Sequence, residues 1–213
     1  MKRKTFVLFD FDGVIADSWH IAFETARTVF PSIDEANYRR MFEGNIYEAH
    51  DEAVANGERE RTTDAEWFDI YVPKFEDQAT LFPGIKEVVE ELSHGHELIV
   101  VSSTITSPIQ GFLEKHRIGR YFSEVMGADV HTSKHEKIRM VFEKYNTNAA
   151  ECVFVTDTLG DMHEARKEGV GAIAVSWGFH SRETLAKGQP FRIVETPYEI
   201  LSAISDYFGK REN

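Results

Sequence analysis

The 213-residue chain has a single cysteine, Cys152, so no internal disulfide can form. Its fold must rest on burial, and a reducing cytoplasm is the expected compartment. Cations are also in short supply, with 24 Lys and Arg against 36 Asp and Glu and a formal net charge of -12. A nonspecific grip on nucleic acid or on an anionic membrane needs a positive surface, so neither is expected as a partner. No apolar stretch approaches the length needed to cross a bilayer. The basic start Met1-Lys2-Arg3-Lys4 leads into an apolar stretch that ends at Asp10, too short for a secretory signal. Repeats and low-complexity tracts are lacking as well. What is present, 42% hydrophobic and 28% charged residues, suits a soluble protein with one α/β core and an inserted elaboration.

The core shows itself as short apolar runs. Residues 5–9, Thr-Phe-Val-Leu-Phe, are continuous strand formers, as expected for a central strand covered on both faces. Leu98 to Val101, Cys152 to Val155 and Ala172 to Val175 read alike, and a shorter run ends near Gly127. Between them Ile85, Val88, Val89 and Leu92, and then Ile138, Val141, Phe142 and Tyr145, keep helical spacing. This alternation predicts a Rossmann-like parallel sheet with helices on both faces. Residues 18–80 break it with helical patterns and no buried strand, which predicts a helical cap inserted into a core of residues 1–17 and 81–213. Turns are expected at Gly44-Asn45 and Asn56-Gly57.

In open α/β sheets ligands lie beyond the carboxyl ends of the strands. The residues found there are Asp10-Phe11-Asp12-Gly13, Ser102-Ser103-Thr104, and Thr156-Asp157-Thr158-Leu159-Gly160-Asp161. Asp10 and Asp12 share one side while the chain stays extended. If Asp157 and Asp161 joined them, each like-charge pair at ~4 Å would cost about 4 kcal/mol, so the cluster requires a cation. Carboxylates without converging Cys or His favour magnesium. Asp161 has a plainer reading beside this one, a capping box with Glu164.

These residues resemble the haloacid dehalogenase-like hydrolases with a helical cap, and among them the phosphoglycolate phosphatase-like members. The likeness rests on Phe9-Asp10-Phe11-Asp12-Gly13-Val14, on Ser102 ending an apolar strand, on Lys134, and on Asp157 with Asp161; Phe82-Pro83-Gly84 and Trp177-Gly178 add to it. The resemblance implies Asp10 as nucleophile, forming an aspartyl phosphate, and Asp12 as acid and then base. It implies Ser102 and Lys134 on the phosphoryl group, and magnesium held by Asp10, the Asp12 carbonyl and Asp157, with Asp161 direct or behind. Lys137 is a rival to Lys134 and Ser103 to Ser102; the first of each pair is preferred, Lys134 because it starts a helix and Ser102 because it directly follows the strand. Thr156 stands where many members have glycine.

The expected reaction is hydrolysis of a small phosphorylated metabolite. Two alternatives stay open: a phosphomutase acting on sugar phosphates, against which the position of His20 argues, and a noncatalytic binding module on the same scaffold. The pairs His94 with His96 and His131 with His135 read as surface residues rather than zinc ligands. Arg39 and Arg40 read as a solvated helix face, Trp67, Phe68 and Tyr71 as cap core, and His180 as a neighbour of the site without an assigned role. The sequence sets neither the metabolite nor an oligomeric state.

Overall fold

Phe6–Phe9 form β1, and all four residues are buried. Val7 and Phe9 enter one apolar cluster, Phe6 and Leu8 another on the opposite face. A strand covered on both sides reads as a continuous run for this reason. The computed structural model describes residues 4–57 and 62–209. After β1 come β2 (Ala16–Asp17), α1 (Trp19–Val29), α2 (Glu35–Met41), α3 (Ile46–Ala55), α4 (Asp64–Gln78), β3 (Thr80–Leu81) and α5 (Ile85–Ser93). The chain continues through β4 (Glu97–Val101), α6 (Thr106–Lys115), β5 (Phe122–Met126), α7 (Lys134–Tyr145), β6 (Cys152–Thr156) and α8 (Leu159–Lys167). It ends with β7 (Gly171–Val175), α9 (Arg182–Lys187), β8 (Arg192–Val194) and α10 (Glu199–Gly209).

The main sheet has six parallel strands in the order β5-β4-β1-β6-β7-β8. The chain winds outward from β1 through β4 to β5, then crosses to the other side for β6, β7 and β8. Winding therefore reverses about β1, which puts a ligand crevice at the carboxyl end of β1 and its two neighbours. Helices α5, α6 and α10 cover one face, and α7, α8 and α9 the other. No helix among the described residues is long and apolar enough to cross a membrane.

Two features have no counterpart in the pattern of apolar runs. β8 is a three-residue edge strand, half-buried except for Val194, and too short for a periodic signal. β2 and β3 pair antiparallel in a two-residue ribbon, through which the chain leaves the core and returns. Four helices stand between the two. Asn45 caps α3 by accepting the Tyr47 and Glu48 amides, and Thr63 with Glu66 forms a capping box on α4.

Phe154 in β6 is fully buried against the cluster of α7 and α8. We expect Phe154→Ala to cost about 3–5 kcal/mol through the cavity it leaves, measured as a lower urea midpoint with unchanged m-value.

Candidate active site

Asp10 follows β1, Asp157 follows β6, Lys134 opens α7, and Asp161 lies in the first turn of α8. Although far apart in the chain, they meet. Lys134 Nζ stands 2.8 Å from Asp10 Oδ1 and 2.7 Å from Asp161 Oδ2, and all three side chains are buried. Burying an ammonium is costly unless its partners are close and well aligned. Here burial pulls the Lys134 pKa down, but Asp10 and Asp161 outweigh it and hold the lysine above its ordinary value. Burial likewise pushes Asp10 well up, Lys134 pulls it back, and the charges of Asp161 and Asp157 push it further. Asp161 also feels burial, yet Lys134 and the hydrogen bonds to its carboxylate leave it lowered. One of those bonds comes from Thr156 Oγ1 at 2.6 Å, so the threonine standing in place of a glycine helps fix Asp161.

Asp12 turns its carboxylate to three hydroxyls. Ser18 and Tyr71 donate to Oδ1 at 2.7 and 2.6 Å, and Thr104 donates to Oδ2 at 2.7 Å. A hydroxyl can donate or accept, so this shell can follow Asp12 through a change of protonation. Ser102 is fully buried, and its Oγ accepts the Thr104 amide at 3.0 Å, leaving its own proton to donate. Ser103 and Thr104, rather than Ser102, line the cavity described below. Lys137 is not a second site cation: its fully buried Nζ donates to the carbonyls of Ser102 and Gly127, bracing the ends of β4 and β5.

The capping box of Asp161 with Glu164, the plainer alternative reading, does not form. Thr158 caps α8 by accepting the Asp161 amide. Glu164 instead reaches across to the start of α7, where Oε1 accepts the Lys134 amide at 3.0 Å, the Ser133 hydroxyl at 2.8 Å and the Asn45 amide group at 3.3 Å. A carboxylate at a helix N-terminus satisfies free N–H groups and complements the dipole, and here it also fixes the backbone that carries Lys134.

The sequence profile of the haloacid dehalogenase-like hydrolases matches residues 7–175. The chain belongs to that family. A phosphoglycolate phosphatase of Synechococcus elongatus is 26% identical over 93% of this chain and 96% of its own length. Another, of Vibrio cholerae, is also 26% identical, covering 89% and 92%. Among solved structures, a haloacid dehalogenase-like hydrolase of Streptococcus pneumoniae superposes with a TM-score of 0.77 at 25% identity, over 96% of this chain and 100% of the other. The chain is accordingly an enzyme, a phosphatase of the haloacid dehalogenase type.

In this hydrolase the donors around Asp157 fit a divalent cation. Asp157 Oδ2 accepts the Phe179 amide at 2.6 Å, while the buried Oδ1 has no hydrogen-bond partner. Burial, with the Asp161 charge adding, pushes the Asp157 pKa up to about 7 against the pull of the Phe179 amide. Gly13 and Gly178 flank it so closely that a Cβ on either would fall 2.0 or 2.2 Å from Oδ2. Among the described residues no three acidic, His or Cys side chains converge as a closed cage. The unpartnered buried oxygen of Asp157 is a hard donor that suits a cation keeping several waters.

Above these groups lies a cavity of about 150 Å³, with Asp10, Asp12 and Lys134 on its floor and residues of α1 to α4 on its walls. Trp67, Phe68 and Tyr71, expected as cap core only, do both: they pack in the core cluster and line the cavity. Arg39 lies over the Trp19 ring at 3.7 Å and pairs with Glu35, outside the cavity. His180 is buried; its Nδ1 accepts the Leu159 amide at 3.0 Å, so Nε2 carries the proton and donates to the Arg39 carbonyl at 2.8 Å. Of the contacts with no signal in the sequence, Tyr71 on Asp12, Glu164 on α7 and His180 on Arg39 all join segments far apart in the chain. Thr104 is the exception, since it stands in the hydroxyl run after β4.

Burial, reinforced by Lys134, draws the Lys137 pKa down to about 7. From about pH 7 to 10 the unfolded chain therefore holds a proton on this lysine that the folded chain lacks, and stability should rise with pH by up to about 1.4 kcal/mol per unit. Lys137→Met should lose this rise, as read from urea unfolding of both proteins at about pH 7.5 and 9.5.

Proposed function

We propose that this enzyme hydrolyses a small phosphorylated metabolite through a phosphorylated Asp10, with magnesium as cofactor. The observation that carries the reading is the Lys134 bridge from Asp10 to Asp161, with Asp12 facing the same cavity. An Asp10 oxygen attacks phosphorus as the P–O bond to the alcohol breaks, and Asp12 gives its proton to the departing oxygen. Asp12 then takes a proton from water, whose oxygen attacks the aspartyl phosphate and frees phosphate and Asp10. Lys134 and the Ser102 hydroxyl stabilise the charge moving between carboxylate and phosphoryl group.

Magnesium, held by Asp10, the Asp12 carbonyl and Asp157 with Asp161 alongside, would supply the charge that offsets repulsion between nucleophile and phosphate. We take residues 1–17 and 81–213 as the hydrolase core and 18–80 as a cap that shuts water from the site. A phosphomutase would need a further group to retain the sugar, and His20 is exposed and does not line the cavity. Cys152, fully buried and the single cysteine of the chain, suits a reducing cytoplasm.

With magnesium and para-nitrophenyl phosphate, Asp10→Asn should lower turnover by at least about 10³-fold; a protein retaining most of its activity would refute the nucleophile. Because Asp157 sits near neutrality without a cation, magnesium binding should release more protons at about pH 6.5 than at 8.5. Calorimetry in buffers of different ionisation enthalpy reads this directly.

A further inference from the structure

The cavity wall opposite Asp10 has a chemistry that the hydrolytic mechanism does not use. Phe30, Phe42, Trp67 and Phe68 all face the cavity. Two of these rings are braced from behind: Phe42 packs edge-on against Phe179 at 5.0 Å, and Trp67 stacks on Tyr71 at 6.1 Å. The wall is therefore a set of aromatic surfaces supported by other rings. A cavity of about 150 Å³ is large enough for a benzene-sized body against these rings.

Charge at the cavity has one sign to spare. Among the described lining residues Lys134 is the sole Lys or Arg, and its ammonium is already shared between Asp10 and Asp161. Asp64 and Glu164 line the cavity too. After burial, Asp64 is the largest cause of the raised Tyr47 pKa, so its field reaches the interior. His50 lines the cavity as well, its Nε2 buried without a partner and its ring leaning on Phe30 at 5.7 Å, alongside neutral polar residues such as Asn45, Thr62, Ser103 and Thr158. A substrate whose alcohol carries a carboxylate would set a second negative charge beside Asp64 and against aromatic faces. An aromatic or similarly bulky apolar body would bury its surface on these rings instead.

We propose that the preferred substrates are phosphate monoesters of alcohols bearing an aromatic or comparably bulky apolar body rather than short phosphorylated carboxylates. The inference rests on the phosphatase reading above and adds the class of leaving group. Two esters of differing alcohol decide it: phenethyl phosphate and phosphoglycolate, assayed on the wild-type enzyme with magnesium by phosphate release. The expected result is a kcat/KM for phenethyl phosphate roughly tenfold or more above that for phosphoglycolate. Trp67→Ala should narrow that ratio at least about fivefold, chiefly by raising KM for phenethyl phosphate.

Equal or reversed preference in the wild type overturns the inference and leaves the phosphatase reading standing. A Trp67→Ala protein that melts cooperatively and keeps the full ratio overturns it as well. Turnover of neither ester, nor of para-nitrophenyl phosphate, overturns both the inference and the reading beneath it.

Discussion

One buried ammonium holds this site together. Lys134 stands between Asp10 and Asp161 at ion-pair distance on both sides, and neither carboxylate could be buried charged at that sheet edge without it. The surrounding structure serves to place this group. Glu164 takes the first amides of α7 and sets the backbone of Lys134; Thr156 holds the far side of Asp161; the Asp10 amide donates to the Val155 carbonyl at 2.9 Å, tying Asp10 to β6. Three buried carboxylates still exceed one lysine. Burial, with repulsion among these carboxylates adding to it, raises Asp10 and Asp157, and a divalent cation would offset that cost.

The helical segment is joined to the core by contacts that end at the reacting groups. Tyr71 of α4 donates to Asp12, and Tyr47 of α3 donates to the Ser103 carbonyl at 2.7 Å. The Gly160 amide donates to the Phe42 carbonyl at 2.9 Å, an approach so tight that a Cβ at Gly160 would meet the Gly44 carbonyl oxygen at 2.1 Å. His180 spans from Leu159 to Arg39 in the same seam. Any outward movement of the helices would strip Asp12 of one of its three hydroxyls, so the surroundings of Asp12 depend on the position of the helical segment.

Much of this was legible in the sequence because burial on both faces writes a strand as an unbroken apolar run, and because a crevice at strand ends draws its groups from the next few residues. Asp10, Asp12 and Asp157 could be named on that basis, whereas Lys134 follows from the family resemblance and its place at a helix start. β8 could not, as an edge strand of three residues carries too little pattern. Glu164 had no signal of its own beyond a spacing from Asp161 that allows a local cap, while its actual partner is a helix start 30 residues away in the chain. Tyr71 looked like packing, and it is; only the tertiary fold shows that its hydroxyl ends on Asp12.

The bridge also explains how a chain of net charge -12 can receive an anion: the positive charge is concentrated at one buried point rather than spread over the surface. Calorimetric titration of orthovanadate, a mimic of the phosphoryl group in transfer, into wild-type and Lys134→Met proteins with magnesium present tests this most directly. The account predicts tight binding by the wild type and binding weaker by at least about 100-fold in the folded variant. Equal affinity in the two proteins would contradict it.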